Sequence, residues 1–283
     1  MKFAVVGNGF VGKATRMFAC ENGNEISARG NTVIVYDNVP SLCVPIGTTL
    51  ADVAACDLIF VCVPTPMRAD RSCNTSIVEA VVNGVRAHRA DAPIVIRSTV
   101  PPGTSERLGC AFMPEFLTEK NWARDLVECK LWVFGGDAAA VAVWSEFIDV
   151  AHANGCIQNK EKYIASTTAC ELIKYGRNCF LATKVAFFNE LYTLCSKIGV
   201  DFEEVRNGIG ADSRIGQSHT KVPGIDGLRG FSGTCFPKDI NALCAFMREN
   251  GAEPHVMAAA IERNETVDRP EHDWMKSERS YLN

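Results

Sequence analysis

Short apolar runs alternate with helical spacing through the first half of the chain. Phe3–Val6, Val33–Tyr36, Leu58–Val63, Ile94–Ile96 and Leu131–Phe134 read as candidate strands. Between them, Val11–Cys20, Ser76–Arg89 and Ala138–Ala151 carry the spacing of helices. Such alternation predicts an α/β domain, a doubly wound parallel sheet with helices on both faces, over about residues 1–157.

Residues 158–283 have a different texture. From Thr168 to Ile198 the chain is rich in Ala, Leu and Phe and holds no proline. Thr168 and Glu171 fit a capping box, and Gly199 suits the C-terminal cap. A helix of that length spans roughly 45 Å at 1.5 Å per residue. It is expected to form the spine of a helical second domain and to join two subunits into a homodimer. Gly208, Gly210, Gly216, Gly224, Gly227, Gly230 and Gly233 then mark a loop region, the kind of segment where sites concentrate. Helical patterning resumes at Ile240–Arg248 and His255–Thr266, and Arg269–Asn283 reads as a polar tail.

Composition narrows the function. With 47% hydrophobic and 22% charged residues in 283, the chain is an ordinary globular one. A net charge of −4 provides no global basic field for nucleic acid or acidic membranes. Any anionic ligand needs local Arg or Lys. The apolar start Phe3–Val6 is too short for an export signal, and no run approaches the ~18 residues of a membrane span, so a cytoplasmic location is expected. The 13 cysteines show no C-x-x-C pair and no nearby His cluster. They read as reduced thiols, most of them small core residues, and no metal site is expected.

The segment Gly7-Asn8-Gly9-Phe10-Val11-Gly12 follows a strand at once and opens a helix. A lone G-x-G-x-x-G is weak evidence. Here it stands in the required context, and Asp37 ends the next strand 25 residues beyond Gly12. Close backbone approach to a pyrophosphate and a carboxylate on the ribose hydroxyls together point to a dinucleotide, NAD rather than NADP. Two further strand ends, Val63-Pro64-Thr65-Pro66 and Arg97-Ser98-Thr99-Val100-Pro101, lie where ligands bind in open α/β sheets, although either alone is more often a turn.

Three segments carry candidate chemistry. Pro114-Glu115-Phe116-Leu117-Thr118-Glu119 follows a short apolar run. Lys174 and Asn178, four apart, share one face of the long helix with Glu171 a turn before, so both can donate to one substrate oxygen. Gly230-Phe231-Ser232-Gly233-Thr234-Cys235-Phe236-Pro237-Lys238-Asp239 sets a cysteine in a glycine loop with a cation three residues on. A neighbouring cation favours the thiolate, which is the nucleophilic form.

With these segments in order, the chain resembles the UDP-glucose/GDP-mannose dehydrogenase family. The motifs G-x-G-x-V-G, V-P-T-P, S-T-V-P-P-G-T, P-E-F-L-x-E, E-L-x-K-x-x-x-N, D-x-R-I-G (Asp212–Gly216) and G-T-C-F-P-K-D span residues 7 to 239. The resemblance implies a Rossmann-like domain, then a helical one, and a four-electron oxidation of a nucleotide sugar to the uronate with NAD. It implies Cys235 as nucleophile through a thiohemiacetal and a thioester. Lys174 and Asn178 then stabilise the oxyanion, Glu115 and Asp239 serve acid–base chemistry, and Thr99 positions water. Glu119 and Lys238 belong with the cofactor site. Glu115, Phe116, Leu117, Phe231, Ser232 and Gly233 belong with the sugar, and Arg214 reaches it from a neighbouring subunit.

The chain departs from the family pattern at Ser232, where glycine is usual, and at Met113 and Lys120, where many members carry Asn and Gly. It ends at Asn283, where full-length members continue into another nucleotide-binding domain, so the resemblance is to the short forms. On that reading the diphosphate falls to Lys221, Arg229 or Arg214, and weak discrimination between bases is expected. Two alternatives stay open: a catalytically impaired NAD- or sugar-nucleotide-binding module, and a 3-hydroxyacid dehydrogenase of the 6-phosphogluconate type, which needs no cysteine.

Overall fold

The computed structural model describes residues 1–19, 21–22, 25–26, 30–276 and 281. Cys20 of the expected first helix, and residues 277–280 and 282–283 of the expected tail, lie outside that set. Two compact units are present: Met1–Thr65 with Thr75–Lys174, and Pro66–Asn74 with Tyr175–Asn283.

In the first unit the strands are β1 (Lys2–Val6), the hairpin β2 (Glu21–Asn22) and β3 (Glu25–Ile26), β4 (Thr32–Tyr36), β5 (Leu58–Val61), β6 (Ile94–Ile96), β7 (Ala111–Phe112), β8 (Trp132–Gly135) and β9 (Lys162–Ala165). Among the described residues seven of them form one sheet, in the order β4-β1-β5-β6-β7-β8-β9. Pairing is parallel except between β7 and β8. The helices are α1 (Phe10–Arg16), α2 (Leu50–Ala54), α3 (Ser76–Arg86), α4 (Thr104–Arg107), α5 (Trp122–Val127) and α6 (Ala138–Ala153).

Strand residues alternate between two buried faces, which is why the strands read as continuous apolar runs. Phe3, Val5, Leu58, Phe60 and Val95 pack with residues of α1, α5 and α6. Ala4, Val6, Ile59, Val61, Ile94 and Ile96 pack with α2 and α3. This is the doubly wound sheet that the alternation predicts. Because β1 lies between β4 and β5, the chain reverses direction across the sheet at the carboxyl end of β1, the place where such sheets bind ligands.

Two strands of the seven-stranded sheet, besides the short hairpin β2–β3, escape the sequence pattern. β7 has only two residues, and β9 is an edge strand whose Tyr163 and Ile164 are exposed. Lys162, at the start of β9, donates to Asp149 Oδ1 at 2.8 Å and Ser145 O at 3.0 Å. With β9 paired to β8, the first unit extends past the change of texture near residue 157 and into the long helix.

That helix, α7 (Thr167–Ile198), is unbroken for 32 residues. Its cap differs from expectation. Ala169 N–H donates to Ser166 Oγ at 3.2 Å, so the cap sits before Thr168. Glu171 instead accepts Gly103 N–H at 2.6 Å and Ser105 N–H at 2.8 Å, two groups that the start of α4 leaves unpaired. At the far end Gly199 takes a φ of +72°, and Val200 N–H bonds Cys195 O at 3.0 Å, the expected glycine cap.

The second unit adds α8 (Phe202–Gly210), α9 (Phe236–Glu249), α10 (His255–Arg263) and a π turn at Asn264–Asp268. Its core joins Tyr175, Cys179 and Ala182 of α7 to Ile240 and Leu243 of α9 and Ile261 of α10. The described part of Arg269–Asn283 is not a loose polar tail. Trp274 is buried, and the Arg269 guanidinium is buried between Asp226 and Asp273. Among the described residues eleven cysteines form no disulfide, but Cys156 is disulfide-bonded, so the reduced state expected throughout fails there. Among the described residues no helix is long and apolar enough to cross a membrane.

The Phe147 ring meets Phe3, Phe18 and Phe60 at centroid distances of 5.0, 5.1 and 5.3 Å. Phe147→Ala is expected to cost about 3–5 kcal/mol of stability in urea unfolding. A loss under 1 kcal/mol would mean that this aromatic cluster does not hold the sheet to α6.

Candidate active site

The loop after β1 is shaped for close backbone contact. Gly7 N–H bonds Tyr36 O at 2.8 Å, and a Cβ on Gly7 would stand 2.7 Å from Cys62 O. A Cβ on Gly12 would land on the Gly7 carbonyl oxygen, whereas the space over Gly9 is open. Gly9 caps α1 without any side-chain bond to the helix's first N–H groups. Asp37, half-buried at the end of β4, accepts Asn8 N–H at 2.7 Å and Val39 N–H at 3.0 Å. Asn8 donates to Leu42 O at 2.8 Å, and its buried Oδ1 has no partner. Tight packing at Gly12, open space at Gly9 and one orphaned acceptor fit a bound dinucleotide, held by this loop and Asp37. Phe10 and Val11 begin α1, with Val11 packed on the sheet.

On the same unit, Glu115 and Lys174 form a buried ion pair, with side chains 5% and 3% exposed. Lys174 Nζ donates to Glu115 Oε1 at 2.6 Å and to the Glu115 carbonyl at 2.7 Å, and lies 5.8 Å from the Phe116 ring centroid. Leu117 N–H donates to Glu115 Oε2 at 2.8 Å. Burial alone pushes the Glu115 pKa up, but the Lys174 charge, with the hydrogen bonds from Lys174 and Leu117 and a contribution from Arg97, brings it below the usual carboxylate value. Two of the ammonium's three donors are thus used and one is left.

The second unit holds a matching cluster. Asn178 Nδ2 donates to Asp239 Oδ2 at 2.6 Å, and Lys238 pairs with the other oxygen of the same carboxylate. Asp239 is 1% exposed. Burial lowers the pKa of the Lys238 ammonium, but Asp239, Cys235 and Cys73 outweigh it and the net shift is upward. Cys235, half-buried, is the N-cap residue of α9, and its carbonyl accepts Asp239 N–H at 2.9 Å. The cluster sets a thiol, an ammonium and a carboxylate on the first turn of one helix. In α7, Lys174 and Asn178 are one turn apart on one face.

Other expected residues fall in different places. Ser98 Oγ donates to Val63 O at 2.7 Å, bracing the exit of β5, and Thr65 and Thr99 are buried. Pro64 and Glu119 are exposed, and Pro66 opens the stretch assigned to the second unit. Arg214 is exposed and pairs with Asp212 at 2.5 Å. Arg229 is no free cation for a diphosphate. It pairs with Asp268 at 2.8 Å and donates to Thr193 Oγ1 at 2.7 Å, while Lys221 is exposed. The Phe231 ring is 3% exposed and belongs to the core, so only its backbone faces the loop. Gly233 is exposed. One buried charge of the first unit has little signal in the sequence. Arg97 is fully buried against Phe18 and Phe60, and its only sequence signal is a guanidinium at the end of an apolar strand.

Residues 34–148 match the model of the UDP-glucose/GDP-mannose dehydrogenase family's NAD binding domain, and residues 168–266 match the same family's central domain. The chain belongs to this family. NAD is accordingly its cofactor, although the glycine loop precedes the matched stretch. The UDP-glucose 6-dehydrogenase of Rickettsia bellii is 29% identical over 95% of this chain and 68% of its own. That of Bacillus subtilis is 29% identical over 93% of this chain, which spans 63% of the relative's length. A solved UDP-glucose dehydrogenase from Pyrobaculum islandicum superposes with a TM-score of 0.80 at 28% identity, covering 93% of this chain and 68% of that one.

Two departures from the family pattern have structural explanations. Met113 is fully buried, and its sulfur accepts the Trp144 indole N–H at 3.2 Å. Ser232 lies outside the left-handed region, so the serine carries no backbone strain, and its hydroxyl donates to Asp273 at 3.3 Å.

Removing Lys174 leaves Glu115 buried with a weaker counter-charge. Lys174→Met is expected to cost about 3–5 kcal/mol at pH 7. With its pKa then raised by burial, Glu115 takes up a proton on folding, which favours the folded variant at low pH. In the wild type the depressed pKa has the opposite sign, and stability is lost as pH falls through it. The gap in unfolding free energy between the two proteins should therefore narrow from pH 7 to about pH 4.5. A gap that stays constant would show that Glu115 and Lys174 are not coupled.

Proposed function

We propose that this chain catalyses the NAD-dependent four-electron oxidation of a nucleotide sugar to the uronate, with UDP-glucose the first choice and GDP-mannose the second. The observation that carries this reading is Cys235 at the start of α9, beside the Lys238–Asp239 pair. In each turnover R–CH2OH, two NAD+ and one water become R–COO−, two NADH and three protons. NAD, when bound, supplies the hydride acceptor for both oxidations.

The residues divide the remaining work. Glu115, kept ionised by Lys174, takes the proton of the primary alcohol. The remaining N–H groups of Lys174 and Asn178 stabilise the oxygen as negative charge builds on it, a role in which oriented donors are worth most. The Cys235 thiolate adds to the aldehyde carbon, forming a C–S bond and a thiohemiacetal. Oxidation at that carbon gives a thioester. Water positioned by Thr99 and deprotonated by Asp239 attacks it, the C–S bond breaks, and the thiolate is returned. Asp37 takes the ribose hydroxyls and disfavours a 2′-phosphate. Pro64, Thr65, Pro66, Ser98, Glu119 and Lys238 complete the cofactor site. Phe116, Leu117, Ser232 and Gly233, with the Phe231 backbone, border the sugar.

We further infer a homodimer along α7, because Phe180, Phe187, Leu194 and Ile198 leave an apolar stripe 52–68% exposed, recurring at intervals of seven, seven and four residues. Arg214 would then reach the partner's substrate, which suits its exposed position.

Release of NADH on a panel of UDP- and GDP-sugars tests the activity, and its absence with every nucleotide sugar would overturn it. Cys235→Ala should abolish the carboxylate and leave NAD binding unchanged. For assembly, mixing Arg214→Ala with Cys235→Ala should recover partial activity. An active monomer in light scattering would refute the shared site.

A further inference from the structure

The segment that carries Cys235 is gripped from behind by two buried asparagines. Asn264, 1% exposed, accepts Phe231 N–H on Oδ1 at 2.8 Å and donates from Nδ2 to Phe231 O at 3.0 Å. One side-chain amide thus satisfies both polar groups of one buried residue, as a neighbouring strand would. Asn189 of α7, also 1% exposed, accepts Gly230 N–H at 3.1 Å. Gly230 itself has a φ of +71°, and a Cβ there would collide with Asn264 Oδ1 and stand 2.9 Å from Asp268 Cβ. The fit between residues 230 and 264 therefore excludes any side chain.

Asn264 is in turn fixed. It opens the π turn Asn264–Asp268, a helix irregularity common at functional sites, and its carbonyl accepts Arg269 N–H at 2.7 Å. Asp268 closes the turn with a fully buried side chain between Arg229 at 2.8 Å and Arg263 at 3.0 Å. On the other side, the segment ends in α9, where Asn241 Nδ2 bonds Pro237 O at 2.8 Å. Only Ser232, Gly233 and Thr234 separate the gripped residue from Cys235. A span that short transmits the position of Phe231 to the thiol.

We propose that Asn264 is a positioning residue for Cys235: by pairing with both polar groups of Phe231 it fixes where the nucleophile stands at the start of α9. This rests on the reading of Cys235 as the nucleophile. The covalent half of the reaction depends on the clamp, and the first oxidation of the alcohol does not. A residue needed only for stability would slow both halves together.

The test uses the full chain with Asn264→Ala and with Asn264→Asp, which keeps the Oδ1 acceptor and removes the Nδ2 donor. NADH and uronate are measured with UDP-glucose while semicarbazide traps free aldehyde. In parallel, iodoacetamide labelling of Cys235 is followed by peptide mass spectrometry, with half-exposed Cys129 as internal reference. Expected are a fall of at least fivefold in uronate per NADH, trapped aldehyde, and Cys235 labelling at least threefold slower against an unchanged Cys129. Unchanged ratios in both assays would overturn the proposal, and so would failure of both variants to fold, which would assign Asn264 to stability alone. If the wild type oxidises no nucleotide sugar, the functional reading fails by itself and the labelling ratio still decides the clamp.

Discussion

A lysine ammonium and a glutamate carboxylate, both removed from water, impose the central constraint on the first unit. Taking two charges out of solvent costs several kcal/mol each, and only close geometry with further hydrogen bonds offsets it. Lys174 and Glu115 meet that demand through Leu117 N–H and the Glu115 carbonyl. To do so, residue 115, just beyond β7, must meet residue 174 on α7. An apolar pair of equal volume would stabilise the fold as well or better, so stability is a poor reason for the pair's existence. On the proposed reading, its value lies in an oriented donor and an ionised base that need no rearrangement when a substrate oxygen arrives.

The second unit solves the same problem differently. Asp239 is shared between Asn178 and Lys238, so one buried carboxylate orients an amide of α7 and an ammonium beside Cys235. Behind them, the contacts of Asn189, Asn264 and Asp268 hold the incoming segment. These polar groups are almost all paired, as buried networks must be if they are to fix a single arrangement. On the proposed reading the chemistry then rests on helices α7 and α9, with Gly230 and Gly233 on the approach to Cys235.

Much of this was legible from residue order. β1, β5, β6 and β8 of the sheet interior show as apolar runs because both faces are buried, and Gly7–Gly12 stands out through its place between strand and helix. Lys174 and Asn178 share a face by helical period alone. What could not be read depends on partners distant in the chain. Glu171 satisfies the local pattern of a capping box, yet its carboxylate goes to Gly103 and Ser105, 68 and 66 residues away. β9 carries exposed Tyr163 and Ile164 because it lies at an edge, so no apolar run marks it. The Glu115–Lys174 pair spans 59 residues, and Arg269 sits in what composition alone presents as a polar tail.

Covalent chemistry at Cys235 is the claim on which the functional reading stands or falls. It can be observed by mixing the protein with UDP-glucose labelled at the primary alcohol carbon and NAD, quenching in acid within one turnover, and mapping the peptides by mass. Expected is a labelled uronyl thioester on the Cys235 peptide, released by neutral hydroxylamine. Uronate formed with no adduct there, or with the label on another cysteine, would contradict it.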